Sequence, residues 1–180
     1  MPSWGPRDAR LVVVGMAPGL RGANRTGRPF TGDHAGLLLY QTLIKFGFAR
    51  GTYRAEPDDG LELRDCRIVN AVRCVPPANL PQPKEVATCN RFLAAELDGL
   101  GFCRIVLALG VLAHAAVLKA SGIPPTRVRF SHGAMHTLPS GKLLADSFHV
   151  SRYNTSTRKL TESMFEQVVA TIGRKLADGG

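Results

Sequence analysis

The chain has 180 residues, 44% of them hydrophobic, and a mean hydropathy of -0.01, which suits one α/β core and excludes a low-complexity or fibrous chain. No apolar run reaches bilayer length and the N-terminus lacks the order of a signal peptide, so a single cytoplasmic domain over residues 1–180, with no membrane partner, is expected. The net charge of +9, from 23 Lys and Arg against 14 Asp and Glu, favours an anionic partner, nucleic acid being the commonest; a basic surface with no ligand is an equal reading from charge alone.

In chain order, Leu11 to Gly15 (LVVVG) predicts a buried parallel strand that stops at glycine. The polar, glycine-rich stretch 18–32 is expected to be loop, and the leucine spacing from Ala35 to Phe46 predicts a helix. Residues 50–65 read as an exposed excursion. Arg67 to Val72 is a second strand, interrupted by Asn70. A proline-rich loop, 75–83, leads into a helix from Lys84 to about Gly99. Arg104 to Gly110 is a third strand, followed by a helix through Lys119. Val128 to Phe130 and Lys142 to Phe148 are expected strands flanking the loop SHGAMHTLPSG. Met164, Val168, Val169, Ile172 and Leu176 share one face of a last helix, Leu160 to Leu176. Strands alternating with helices give an α/β fold with a mainly parallel sheet covered on both sides, and ligands then bind beyond the carboxyl ends of the strands. GMAPG, Asn70, Gly110 and His149 all fall there.

Three stretches carry residues fit for chemistry. In Gly15 to Asp33, glycines allow backbone amides to approach a ligand, Arg25 and Arg28 suit phosphate oxygens, and no Lys-Ser/Thr pair makes it a Walker loop. Phe30 in this polar loop either tucks into the core or packs on a ligand. Asn70, inside an apolar strand, must be hydrogen-bonded; it either bridges backbone groups or reads a base edge with its acceptor and donors. His149 ends a strand, and the loop behind it has donors for phosphate together with an aromatic ring and a guanidinium able to stack on bases. His114 lies on an apolar helix face and reads as structural; nothing singles out His34, His132 or His136. Of four cysteines, Cys66 and Cys103 read as buried thiols, and no C-x-x-C pair is present.

Three ordered segments carry a resemblance. GMAPG with GANRTGRPFTGD, then NAVRCVPPANLPQPKEVATCNRFLAAEL, then FHVSRYNTSTRKLT are similar to the motifs of the uracil-DNA glycosylase superfamily, specifically its family 5 branch. The resemblance implies a three-layer α/β/α fold around a four-stranded, mainly parallel sheet, and removal of uracil from DNA. It implies that Met16, Ala17, Pro18 and Gly19 line a base pocket, that Phe30 stacks on the flipped base and that Asn70 bonds its edge. His149 would donate to the base carbonyl, and Asp33 would orient water or oppose the cationic sugar. Arg25 and the 151–154 loop (Ser151, Arg152, Tyr153, Asn154) would hold the DNA. The expected partner is DNA containing uracil or another deaminated base, bound by a monomer.

Three departures from the pattern stand out. Met16 occupies the place where related families keep a polar residue for water, which moves that role to Asp33. Val150 replaces the proline usual after the histidine. The relatives' iron–sulfur cluster takes four cysteines, of which Cys74 and Cys89 match two; the N-terminal pair is missing from the sequence, so no cluster is expected and these two are remnants. Two other functions stay open at this level: a non-catalytic binder of damaged DNA, favoured by Met16, and, more weakly, a nucleotide hydrolase built on the Gly15–Asp33 loop.

Overall fold

The computed structural model describes residues 1–178. Strands β1 (Leu11–Gly15), β4 (Cys66–Asn70), β5 (Ile105–Leu109) and β7 (Leu143–Ser147) form a parallel sheet, and β6 (Met135–Thr137) adds an antiparallel edge, in the order β4-β1-β5-β7-β6. A separate short ribbon pairs β2 (Ala49–Arg50) with β3 (Glu62–Leu63). The helices are α1 (Ala23–Thr26), α2 (His34–Lys45), α3 (Pro83–Asp98), α4 (Val111–Ala120), α5 (Arg152–Ser156) and α6 (Glu162–Asp178).

Because side chains alternate across a strand, each central strand feeds two cores. Leu11, Val13, Ile68, Ile105 and Leu107 pack against Leu39 and Leu43 of α2 and Phe165, Val169 and Ile172 of α6. Val12, Val14, Val69, Val106 and Ala108 pack on the other side against Leu93 and Leu97 of α3 and Ala113 and Val117 of α4. The result is the expected three-layer α/β/α arrangement around four parallel strands. The register pairs Gly15 with Asn70, so the ends of β1 and β4 deliver their last residues side by side.

Several expectations are corrected. Val128 to Phe130 is not a strand: the Val128 carbonyl accepts from His114 Nε2 at 3.0 Å, and Phe130 packs edge-on against His114, so the segment serves α4 rather than the sheet. The edge strand is instead Met135–Thr137, inside the stretch read as loop. The 50–65 excursion is not simply exposed, since Asp59, Leu61 and Leu63 are buried. The Gly15–Asp33 loop contains the single turn α1, and the segment after His149 is helical, with Ser151 capping α5 by accepting from the Asn154 amide at 3.4 Å.

Candidate active site

The carboxyl ends of β1, β4 and β7 border a cleft of about 110 Å³. Met16, Ala17, Pro18 and Gly19 of the loop after β1 form one wall; Phe30 and Asp33 from the loop before α2, Asn70 at the end of β4 and His149 after β7 converge from three separate segments. Eight residues expected in the pocket or its chemistry therefore share one cavity. Ala23 and Ala35 complete the lining and were not anticipated, because a small apolar residue gives no chemical signal.

Glycines make this convergence sterically feasible. A Cβ on Gly15 would sit 2.5 Å from Asn70 Oδ1 and 2.6 Å from Phe30 Cζ, and one on Gly22 would lie 2.7 Å from Asp33 Oδ2. Phe30 has φ +53°, a backbone region unfavourable for an aromatic residue. It is held there by Tyr53, whose hydroxyl donates to the Phe30 carbonyl at 3.0 Å, and by the close approach of α2 at Gly36. The Phe30 ring is both part of the α2-side core and a pocket wall, tilted against His149 with centroids 6.2 Å apart.

Asp33 is the N-cap residue of α2, yet its side chain makes no capping hydrogen bond. Its Oδ1 is buried without a partner, and so is Oδ1 of Asn70; among the described residues these are the two orphaned buried side-chain oxygens or nitrogens, and both belong to this cleft. Buried polar atoms are nearly always paired, so two orphans in one cavity mark where a ligand's hydrogen-bonding groups are awaited. Burial raises the Asp33 carboxyl above its ordinary range, opposed by the nearby amides of Gly36 and Ala35 at the helix N-terminus. The Nδ2 of Asn70 meets only the Met1 sulfur, at 3.7 Å, a weak acceptor that a better one can displace. Among the described residues His149 has no ion partner, and burial pushes its imidazole below the ordinary range, which keeps it neutral near pH 7 with one N–H to give.

The remaining expected contacts divide. Arg152 and Tyr153 project from α5, with Tyr153 72% exposed. Asn154 is turned inward, its Nδ2 donating to the His149 carbonyl at 2.8 Å, and so fixes the chain that carries the imidazole. Arg25 is exposed on α1. Arg28 is not available to phosphate: it is buried, with both terminal nitrogens 2.8 Å from the carboxylate of Asp59 and Nε 2.7 Å from Thr31 Oγ1. A guanidinium among Trp4, Tyr40 and Tyr53 needs that fork, and Asp59 is held below the usual carboxylate range by it.

The four thiols of this chain do not gather at one point. Cys66 is buried in one core and Cys103 in the other, on opposite faces of the sheet, while Cys74 is exposed and Cys89 is buried on α3. Among the described residues, no group of three or more metal-capable side chains includes a cysteine.

The model of the uracil DNA glycosylase superfamily matches residues 2–173. The chain is 43% identical over 169 residues to the type-5 uracil-DNA glycosylase of Thermus thermophilus, covering 94% of this chain and 77% of that one. It is 40% identical over 180 residues to the type-5 enzyme of Pyrobaculum aerophilum, covering 100% and 76% respectively. The type-4 uracil-DNA glycosylase of Thermotoga maritima is 34% identical over 148 residues, covering 82% and 67%. With the α/β/α fold and the cleft already in view, these matches establish that the chain belongs to the uracil DNA glycosylase superfamily, on its type-5 branch.

Proposed function

We propose that this protein is a DNA glycosylase that hydrolyses the N-glycosidic bond of uracil, and of other deaminated bases, in DNA, and so initiates base excision repair. The observation that carries the reading is the pair of orphaned buried oxygens, Asp33 Oδ1 and Asn70 Oδ1, facing one cleft beside a partnerless neutral imidazole. A base inside a duplex cannot be reached, so it is flipped into the cleft at a cost of a few kcal/mol, least for a mismatched uracil. There it lies against Phe30. Asn70 Oδ1 accepts from the pyrimidine N3–H and Nδ2 donates to the neighbouring carbonyl. Cytosine has a lone pair at that ring nitrogen, which faces Asn70 Oδ1 unfavourably, and a site built on hydrogen bonds rejects such a mismatch strongly.

As the bond breaks, negative charge gathers on the base and positive charge on the sugar. The N–H of His149 stabilises the leaving base as a preorganised donor, and needs no prior loss of a proton because the ring is neutral. Asp33, ionised, opposes the sugar's charge and orients the attacking water. Met16 contributes backbone and shape only. The pocket lining has no lysine, so no Schiff base forms and the product is an abasic site in an intact strand. Arg152 and Tyr153 contact the backbone and fill the space the base leaves, with Arg25 at the rim. Ser151 and Asn154 hold that segment rather than touch DNA.

The protein is proposed to work as a cytoplasmic monomer and without an iron–sulfur cluster, given where its four thiols lie; among the described residues no helix is long and apolar enough to cross a membrane. Iron at stoichiometric level in the purified protein, with visible charge-transfer absorption, would overturn the cluster-free reading. The functional test is incubation with uracil-containing single- and double-stranded DNA, alongside hypoxanthine and xanthine substrates. Alkali-labile sites without direct strand cleavage are expected. Tight binding with no base released at high enzyme concentration would identify a non-catalytic damage binder instead.

A further inference from the structure

A second polar cluster lies outside the cleft, on the α4 side of the sheet. His114 of α4, His136 of β6 and Asp146 of β7 bring their ligand-capable atoms within 4.8 Å of one another. His114 Nδ1 is 2.8 Å from Asp146 Oδ1, and His136 Nε2 is 3.3 Å from Asp146 Oδ2. Asp146 is fully buried and His114 nearly so, while the His136 side chain keeps 25% of its surface in solvent and forms the opening.

Counting hydrogens at His114 decides what this cluster needs. Its Nε2 is 3.0 Å from the Val128 carbonyl, which can only accept, so Nε2 carries the hydrogen. A neutral ring then presents a bare lone pair at Nδ1 to a carboxylate oxygen 2.8 Å away, two acceptors in contact. An electrophile must lie with them, either a further proton or a metal cation. Among the described residues the side chains paired with Asp146 are these two imidazoles, with no lysine or arginine, and the Ser131 amide reaches it at a long 3.4 Å. A ring with one nitrogen fixed by a backbone carbonyl and the other free toward a carboxylate is the arrangement that orients histidine for a metal.

We propose that His114 Nδ1, His136 Nε2 and a carboxylate oxygen of Asp146 form a binding site for a divalent transition-metal cation, zinc foremost. Two imidazoles and one carboxylate suit that ion, and the fourth position opens to solvent past His136. The bound ion ties α4, β6 and β7 together. The 131–134 turn is already fastened to the same strand: the Gly133 amide donates to the Asp146 carbonyl at 2.8 Å, and the Asp146 amide to the Ala134 carbonyl at 2.9 Å. The site stiffens the strand that leads to His149 and takes no part in base release.

The chelator-treated protein is titrated with zinc against a chromophoric competitor, and with cobalt as an optical probe. One equivalent bound, cobalt bands without a sulfur-to-metal charge-transfer component, and a Tm that rises with free zinc are expected. His136→Ala removes the most exposed ligand and should weaken binding by at least about tenfold while base release stays at the wild-type rate. His136→Asn and Asp146→Asn provide folded alternatives, checked by circular dichroism, and should behave alike. No stoichiometric binding by the wild type, undiminished binding by the variants, or a thiolate band reporting Cys74 would each overturn the site, leaving a proton-sharing His–Asp pair. The readout is independent of uracil removal, so its failure is distinguishable from failure of the glycosylase reading.

Discussion

Replacing Gly15 by alanine tests whether the cleft's geometry, rather than its mere presence, sets the chemistry. Gly15 has no positive φ, so the new methyl strains no backbone; its effect is contact alone. The added Cβ would stand 2.6 Å from Phe30 Cζ and 2.5 Å from Asn70 Oδ1. Ordinary carbon contacts lie near 3.5–4.0 Å, so the Phe30 ring must retreat by about 1 Å. The backbone of Gly15 is fixed in the ladder with β4, its carbonyl accepting from the Ala71 amide, which leaves the two site side chains to move. Overpacking of this kind costs about 1–3 kcal/mol, and each kcal/mol lowers Tm by about 2–4 °C in a domain of this size. Displacement of a positioning group by ~1 Å costs on the order of 10²-fold in rate. Single-turnover release of uracil from a U·G duplex, read beside the melting curve, separates the two effects. Gly173→Ala on α6 is the control: nothing lies within 4 Å of the new methyl, so rate should hold and stability rise by about 0.5–1 kcal/mol. A folded Gly15→Ala protein with the wild-type rate would refute the reasoning.

Burial raises the Asp33 carboxyl, so ionising it costs folded-state stability from its ordinary value upward through neutral pH, and nothing below that value. Asp33→Asn should therefore raise Tm by a few degrees at pH 7 and lose that advantage in acid; an equal or lower Tm at pH 7 would count against the buried, ionised carboxylate. Arg28→Ala should cost about 3–5 kcal/mol by stranding Asp59, whereas Arg152→Ala should leave Tm unchanged and reduce the salt slope of DNA binding by about 1. The reverse pattern would return Arg28 to the DNA surface. Because His149 is held below the ordinary imidazole range, the acid limb it sets in kcat/KM should lie below pH 6.5, with protonation of the raised Asp33 carboxyl adding to the fall. A break centred on 6.5 that disappears in His149→Gln would mean that the imidazole is not desolvated.

The central strands were legible because LVVVG and RIVLALG are apolar throughout, as strands buried on both faces must be. β6 was not, since a three-residue edge strand, Met-His-Thr, carries no period to read. Arg28 was misread for a physical reason: its partner Asp59 lies 31 residues away in a stretch rich in charge, and a buried ion pair of that span leaves no local mark. Asn70 was legible as a polar residue in an apolar strand, though its two readings could not be separated before its Oδ1 was seen to lack a partner. Asp33 was named only through family resemblance, because a carboxylate before a helix reads as an ordinary cap; the absence of the capping bond is a three-dimensional fact. His114 reads as structural and is buried on α4, but its pairing with Asp146, across 32 residues, leaves no local mark for the same reason as Arg28.

The central claim is that the cleft with the two orphaned oxygens is where the glycosidic bond breaks. Single-turnover release of free uracil by Asp33→Asn and wild type, at matched occupancy of the same U·G duplex, tests it most directly. A loss of roughly 10²-fold or more with DNA affinity retained is expected. Equal rates from the folded variant would contradict it and move the chemistry away from this cleft.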